Sequence, residues 1–366
     1  MSYLIYSLKS LRMQIYQKSK AHFDTLIGPF WCGIKQQNNI PGYRLEKLQI
    51  TYRGAPTPSD NPRERQANVL REHRGYFLGV YQYQSHRGQT ETRDRPLLIL
   101  APGLGGDESS PYARWVAQEA LYLGFDTLLV SPRGSGGSSP GFYHGGWYQD
   151  LILASQHPRL AHYTQRYLAG FSMGGHVACR IASAPESKGI FESIFACCPP
   201  LDLRSTGLHI DQQSWRVYRR YLVEGIKVVS RRLLADPDQD VVPLTPHILE
   251  GLKLSLDVDT LRMFDHYVIS RMLGYESAEE YYEYESAVRY LDQIHTTTLC
   301  AFNQFDPFIP ADIQRSFIPK VLEGHPLFSV QTYLSGGHIY GGKMLKKDSA
   351  LAALFQWLNH SSKTSH

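Results

Sequence analysis

Long apolar runs are missing from this chain. Charged or polar residues break every window of about 18 residues, so no transmembrane helix is expected. Cysteine is scarce and irregularly placed: the five are Cys32, Cys179, Cys197, Cys198 and Cys300, with no Cys-x-x-Cys spacing. That argues against a disulfide frame and against a structural metal site. Four of these thiols, all but Cys32, lie in apolar stretches and are expected to be buried in a reducing compartment. No dense Lys/Arg block occurs, and the net charge is only +4, so nucleic acid is not an expected partner. Internal repeats and low-complexity tracts are also absent. Lys9, Arg12 and Lys18 interrupt any apolar core at the N-terminus, so a signal peptide is not expected there.

What is present is globular composition: 366 residues, 42% hydrophobic and 20% charged. This suffices for one large domain carrying an insertion. Leu4, Leu8, Leu11 and Ile15 fall on one face of an amphipathic helix over residues 1–20, with Lys9, Arg12, Lys18 and Lys20 adding basic charge. This helix is expected to pack on the domain or to fray, with weak contact to a membrane surface as the second reading.

Strands alternate with helices along most of the chain. Leu45–Tyr52, Tyr76–Gln84, Arg95–Leu100, Asp126–Val130, the run ending at Phe171, Phe191–Cys198, Thr297–Phe302 and Leu327–Leu334 read as strands. Pro56, Pro58 and Pro62 make a loop between the first two. Pro111–Gly124, Asp150–Gln156, the stretch from His176 and Lys343–Leu358 read as helices. This alternation predicts a mostly parallel eight-stranded sheet covered on both faces. From about Leu201 to Arg289 the pattern becomes helical, with Arg216–Leu234, Leu261–Met272 and Ala278–Leu291 as candidates. The expected organisation is an N-terminal segment over 1–40, a core over 41–200 and 290–360, and a helical cap over 201–289. The cap would lie between strands 6 and 7, over the edge where such folds bind ligands.

One motif organises the chain. Gly170-Phe171-Ser172-Met173-Gly174 joins an apolar strand to a helix, the context of a nucleophile elbow. The sharp turn would lift the Ser172 hydroxyl above the sheet, with glycine needed where a side chain would strike the neighbouring backbone. A serine needs a base, and the base needs an orienting group. Asp306, in Asn303-Gln304-Phe305-Asp306-Pro307, follows the seventh strand. His338, in Ser335-Gly336-Gly337-His338, follows the eighth. Both fall at the strand end that carries Ser172, in the order Ser, Asp, His of the α/β-hydrolase fold. An oxyanion hole is expected from the backbone N–H groups of Met173 and of Leu104, the latter in the turn Pro102-Gly103-Leu104. His176 is expected to be a packed histidine. His144 and Asp150 have five residues between them rather than four, which misses a His-x-x-x-x-Asp acyltransferase motif.

These residues resemble the YheT-like (embryogenesis-associated protein) subfamily of α/β-hydrolases, which also includes eukaryotic lipid esterases and phospholipases. The likeness runs from His22-Phe23-Asp24-Thr25-Leu26 to the last strand. It includes Ser110-Pro111-Tyr112, Arg133-Gly134, Phe142-Tyr143-His144, Asp150 and Val217-Tyr218-Arg219-Arg220-Tyr221-Leu222. Its most specific element is Phe264-Asp265 followed by Gly274-Tyr275-Glu276-Ser277 and Tyr281-Tyr282. Pro102-Gly103 stands where the family usually has His-Gly, and His176 where it often has Asn. The resemblance implies hydrolysis of carboxylic esters, short- to medium-chain or lipid-like. Gly103, Tyr112, His144, Tyr218 and Phe264 are then the candidates for substrate contact.

The expected chemistry is an acyl-enzyme on Ser172, with His338 as base, Asp306 as its orienting acid, and no metal or organic cofactor. The expected setting is cytoplasmic, with peripheral membrane contact as the variant. Two rivals stand beside it: an acyltransferase in which an alcohol replaces water, and a non-catalytic binding protein on a hydrolase scaffold.

Overall fold

The computed structural model describes residues 18, 20, 21, 25, 43–53, 74–84, 95–136, 138, 140–212, 216–235, 244–318, 322–339 and 348–364. Most of the N-terminal helix expected over 1–20, and the proline-rich loop after the first strand, lie outside these residues. Lys18, Lys20, Ala21 and Thr25 are helical.

The sheet forms because its central strands are continuous apolar runs bounded by turn residues. Strands β3 (Leu97–Ala101) and β4 (Asp126–Ser131) are buried at every position, as strands covered on both faces should be. β1 (Tyr43–Arg53) and β2 (Arg74–Gln84) form an antiparallel ribbon, and β2 runs antiparallel to β4. β5 (Arg166–Phe171), β6 (Ser193–Cys197), β7 (Thr297–Asn303) and β8 (Phe328–Tyr333) continue in parallel. The order is β1-β2-β4-β3-β5-β6-β7-β8, so β5 lies at the centre of the sheet. One face packs against the helix Met173–Ser183, the other against Pro111–Tyr122 and Ala350–Thr364.

Between β6 and β7 the described chain is helical: Leu203–Gln212, Arg216–Ala235, Pro246–Ser255, a composite helix from Leu261 to Leu273, Ala278–Glu285 and a short 3-10 turn at Ala287–Gln293. The composite helix contains a π turn at Asp265–Ile269, within the segment read from sequence as one continuous helix. Pro246–Ser255 was not anticipated, although Thr245 caps it by accepting the Ile248 N–H and Pro246 opens it. Among the described residues the C-terminal helix begins at Ala350, and the start expected at Lys343 lies outside them. Ser349 Oγ accepts the Ala352 N–H at 3.2 Å, and this cap sets the start.

A buried ionic and hydrogen-bonded knot ties the helical insertion to the elbow helix. Arg180 bonds Glu285 Oε2 at 3.0 Å, and Tyr275 donates to the other oxygen of Glu285 at 2.7 Å. His176 is fully buried between two carbonyls, with Nδ1 2.8 Å from Pro200 O and Nε2 2.9 Å from Glu285 O.

Candidate active site

Ser172 sits between the end of β5 and the first turn of the helix Met173–Ser183, at φ 52°, in the region that L-residues rarely adopt. The surrounding backbone holds it there. A Cβ on Gly170 would lie 2.1 Å from the Gly174 carbonyl oxygen, and one on Gly174 would lie 2.2 Å from that of Ala101. Neither position can carry a side chain without moving the main chain. The Ser172 N–H bonds the Cys197 carbonyl at 2.8 Å, fixing the elbow to β6.

The turn after β3 closes over the serine. A Cβ built on Gly103 would lie 3.2 Å from Ser172 Cβ and 3.7 Å from its Oγ. Tyr112 shapes this turn from behind: its hydroxyl accepts the Gly103 N–H at 2.7 Å, and its ring packs edge-on against Phe171. Burial pushes the Tyr112 phenol well above its ordinary range, so it stays a neutral acceptor. With the Gly103 N–H occupied, the N–H groups of Leu104 and Met173 meet no acceptor among the described residues. Met173 opens its helix, where free N–H groups and the positive end of the dipole coincide.

Asp306 and His338 meet although 32 residues separate them in sequence. Asp306 Oδ2 lies 2.8 Å from His338 Nδ1. Its Oδ1 accepts the N–H groups of Phe308 at 2.8 Å and Ile309 at 3.0 Å. The carboxylate is buried, and its oxygens are directed by these three donors. Held in this way, it fixes the plane of the imidazole and leaves Nε2 for other work. The His338 side chain keeps 13% of its surface exposed, while that of Asp306 has none. Phe308 lies against the His338 ring, with centroids 4.7 Å apart, and Tyr218 from the insertion lies 4.8 Å from Phe308.

Phe264 is buried against Phe142, and His144 is buried beside Trp147 and Tyr281, accepting the Gly146 N–H on Nδ1. Asp150 is paired with Arg133 through Nε at 2.8 Å and through a second, shorter contact at Nη2. Thr25 and Asn303, which are not among the sequence candidates, both touch the backbone at His338. Asn303 could have been noticed as a polar residue closing an apolar strand.

Among the described residues, no group of three or more His, Cys, Asp or Glu side chains is arranged to hold a metal ion. None of their helices is long and apolar enough to cross a membrane.

Comparison with known proteins places the fold. Residues 98–341 match the model of the alpha/beta hydrolase family. YheT of Escherichia coli (strain K12) is 28% identical over 264 residues, covering 70% of this chain and 74% of that protein. The monoacylglycerol lipase of Saccharomyces cerevisiae is 25% identical over 252 residues, covering 67% of this chain and 54% of that one. Embryogenesis-associated protein EMB8 of Picea glauca is 22% identical over 256 residues, covering 67% and 53%. The chain thus spans about half the length of these two eukaryotic relatives. Among solved structures, the Pyrococcus furiosus esterase Pf2001 superposes with a TM-score of 0.50 at 14% identity, covering 89% of this chain and 95% of that one, which is a likeness of fold. A parallel sheet with its serine elbow at the centre and a helical insertion after the sixth strand accords with the family match: this chain belongs to the alpha/beta hydrolase family, in its YheT-like group.

Proposed function

We propose that the protein hydrolyses carboxylic esters through an acyl-enzyme on Ser172. The observation that carries this reading is the buried Asp306 bonded to His338, at the sheet edge that presents Ser172 on a strained elbow. In the proposed cycle His338 takes the Ser172 proton as the oxygen attacks the ester carbonyl. Asp306 holds the imidazole in the tautomer with its proton on Nδ1 and stabilises the imidazolium. The carbonyl oxygen becomes an oxyanion bound by the N–H groups of Leu104 and Met173. His338 then protonates the leaving alcohol, and water, activated by the same histidine, releases the acid. Every step uses the chain's own residues.

Esterase and lipase relatives support an ester or lipid substrate, and the name monoacylglycerol lipase points to glycerol esters bearing one acyl chain. In this reading the insertion 201–289 roofs the site, and Tyr218 and Phe308 form the apolar wall beside His338. Gly103 lets the substrate carbonyl approach the turn. Tyr112 acts on that turn rather than on the acyl chain, because its hydroxyl already holds Gly103.

The decisive experiment is Ser172→Ala, assayed on p-nitrophenyl and monoacylglycerol esters and with a fluorophosphonate probe. Both hydrolysis and labelling should vanish, with a rate loss on the order of 10⁶ where a complete triad operates. A folded Ser172→Ala protein that keeps wild-type turnover would overturn the assignment.

A further inference from the structure

The peptide unit joining Gly337 to His338 is gripped at both of its polar ends. Its carbonyl oxygen accepts a hydrogen bond from Asn303 Nδ2 at 2.7 Å, and its N–H donates to Thr25 Oγ1 at 2.8 Å. Neither bond belongs to regular secondary structure. Asn303 is fully buried at the end of β7, and its other amide atom, Oδ1, accepts the Ala350 N–H at 2.8 Å. Thr25 comes from the N-terminal segment, 313 residues away in sequence. Its hydroxyl hydrogen goes to the Ala21 carbonyl at 2.9 Å, one helical turn back, so a lone pair is left to receive the His338 N–H.

The approach is so close that only glycine fits at 337. A Cβ there would lie 2.2 Å from Thr25 Oγ1 and 2.3 Å from the Ala21 carbonyl oxygen. On the far side of His338, Ile339 has φ 67°, an unfavourable value for a β-branched residue. A loop strained on one flank stays put only if it is held on the other. Asp306 fixes the plane of the imidazole through Nδ1, but that bond acts at the far end of the side chain and does not set where Cα lies. The position of Cα must be set by the backbone, and the backbone is set by Thr25 and Asn303.

We propose that Thr25 is a positioning residue for His338: it anchors the histidine's own N–H to the N-terminal segment, so that the ring is held in register with both Ser172 and Asp306. The proposal rests on His338 being the base. It gives the N-terminal segment a part in turnover through Thr25.

The test compares Thr25→Val, which keeps shape and removes the hydroxyl, with Thr25→Ala, which removes it without β-branching, and Thr25→Ser, which restores it. The full-length chain is used, and active sites are counted by fluorophosphonate burst so that rates refer to folded, competent protein. kcat per titrated site should fall about tenfold in Thr25→Val and Thr25→Ala, the order expected when a catalytic group loses its alignment by a fraction of an ångström. KM should change by less than about twofold, because the acyl wall is untouched. Thr25→Ser should recover to within about threefold of wild type. If Thr25→Val and Thr25→Ala melt earlier but turn over at the wild-type rate per site, Thr25 is merely structural and the proposal fails. Equal losses in all three variants, Thr25→Ser included, overturn it too, since the hydroxyl is then not the relevant group. Ser172→Ala, assayed in parallel, reports on the hydrolase reading alone. With Ser172→Ala inactive, an unslowed Thr25→Val removes the clamp and leaves the hydrolase reading standing.

Discussion

At the scale of a residue, burial decides the chemistry of His176. Its ring is closed off from water, and burial lowers its pKa from 6.5 to about 4, against the two carbonyls that favour a charged ring. The folded state therefore binds the proton less readily than the unfolded chain. The resulting stability is fully present above about pH 6.5 and is lost as pH falls toward 4. Over that window the loss amounts to up to about 3 kcal/mol from this group. His176→Asn should flatten the dependence, so that urea midpoints at pH 7 and pH 4.5 lie closer together than in wild type. An unchanged gap would mean that other groups carry the acid sensitivity. The sequence marked His176 as packed because it falls inside an apolar helix. It could not tell which carbonyls would close around the ring, because Glu285 lies 109 residues away.

At the scale of elements, the segment that follows β4 is held by one cation. The Arg133 guanidinium lies between the rings of Tyr52 and Trp147, at 3.3 and 3.9 Å from their centroids, and pairs with Asp150 at the start of the helix Gln149–Ser155. A single side chain thus joins β1, this loop and the helix after it. Both charged groups are buried, and desolvation raises the Asp150 pKa even with Arg133 beside it. Removing one partner strands the other, so Arg133→Met should cost about 3–5 kcal/mol in urea unfolding. The double variant Arg133→Met with Asp150→Leu should recover much of that cost. If the single and double variants are equally unstable, the pairing is not what holds the loop. Element boundaries were legible where apolar runs met glycine or proline. They slipped where a single cap decided the start, as at Ser349.

At the scale of the molecule, the insertion between β6 and β7 touches the loop that carries Asp306. Its helix Leu203–Gln212 reaches the acid loop through His209 Nε2, 3.1 Å from the Pro307 carbonyl, and Arg216–Ala235 reaches it through Tyr218. The roof proposed above should bind an acyl chain by burial, at about 0.8 kcal/mol per methylene. kcat/KM on p-nitrophenyl esters should therefore rise from acetyl to medium chains, by up to about fourfold per carbon, and then level off. A profile that is highest for acetate and falls with each added carbon would remove the acyl pocket from the functional reading.

The sequence by itself determined the sheet, the elbow and the order of Ser172, Asp306 and His338. Those features are local: an apolar run fills a strand, glycines permit one strained turn, and a polar residue just past a strand end must emerge at the sheet's edge. Tertiary structure decided everything that needs distant segments to meet. It set Asp306 2.8 Å from His338, turned Tyr112 behind Gly103, and gave Asp150 to Arg133 rather than to His144. It also brought Thr25 onto the backbone of a residue 313 positions later. No periodicity or spacing encodes such a contact, because a hydrogen bond between remote loops depends on how the whole sheet twists and how closely its helices pack.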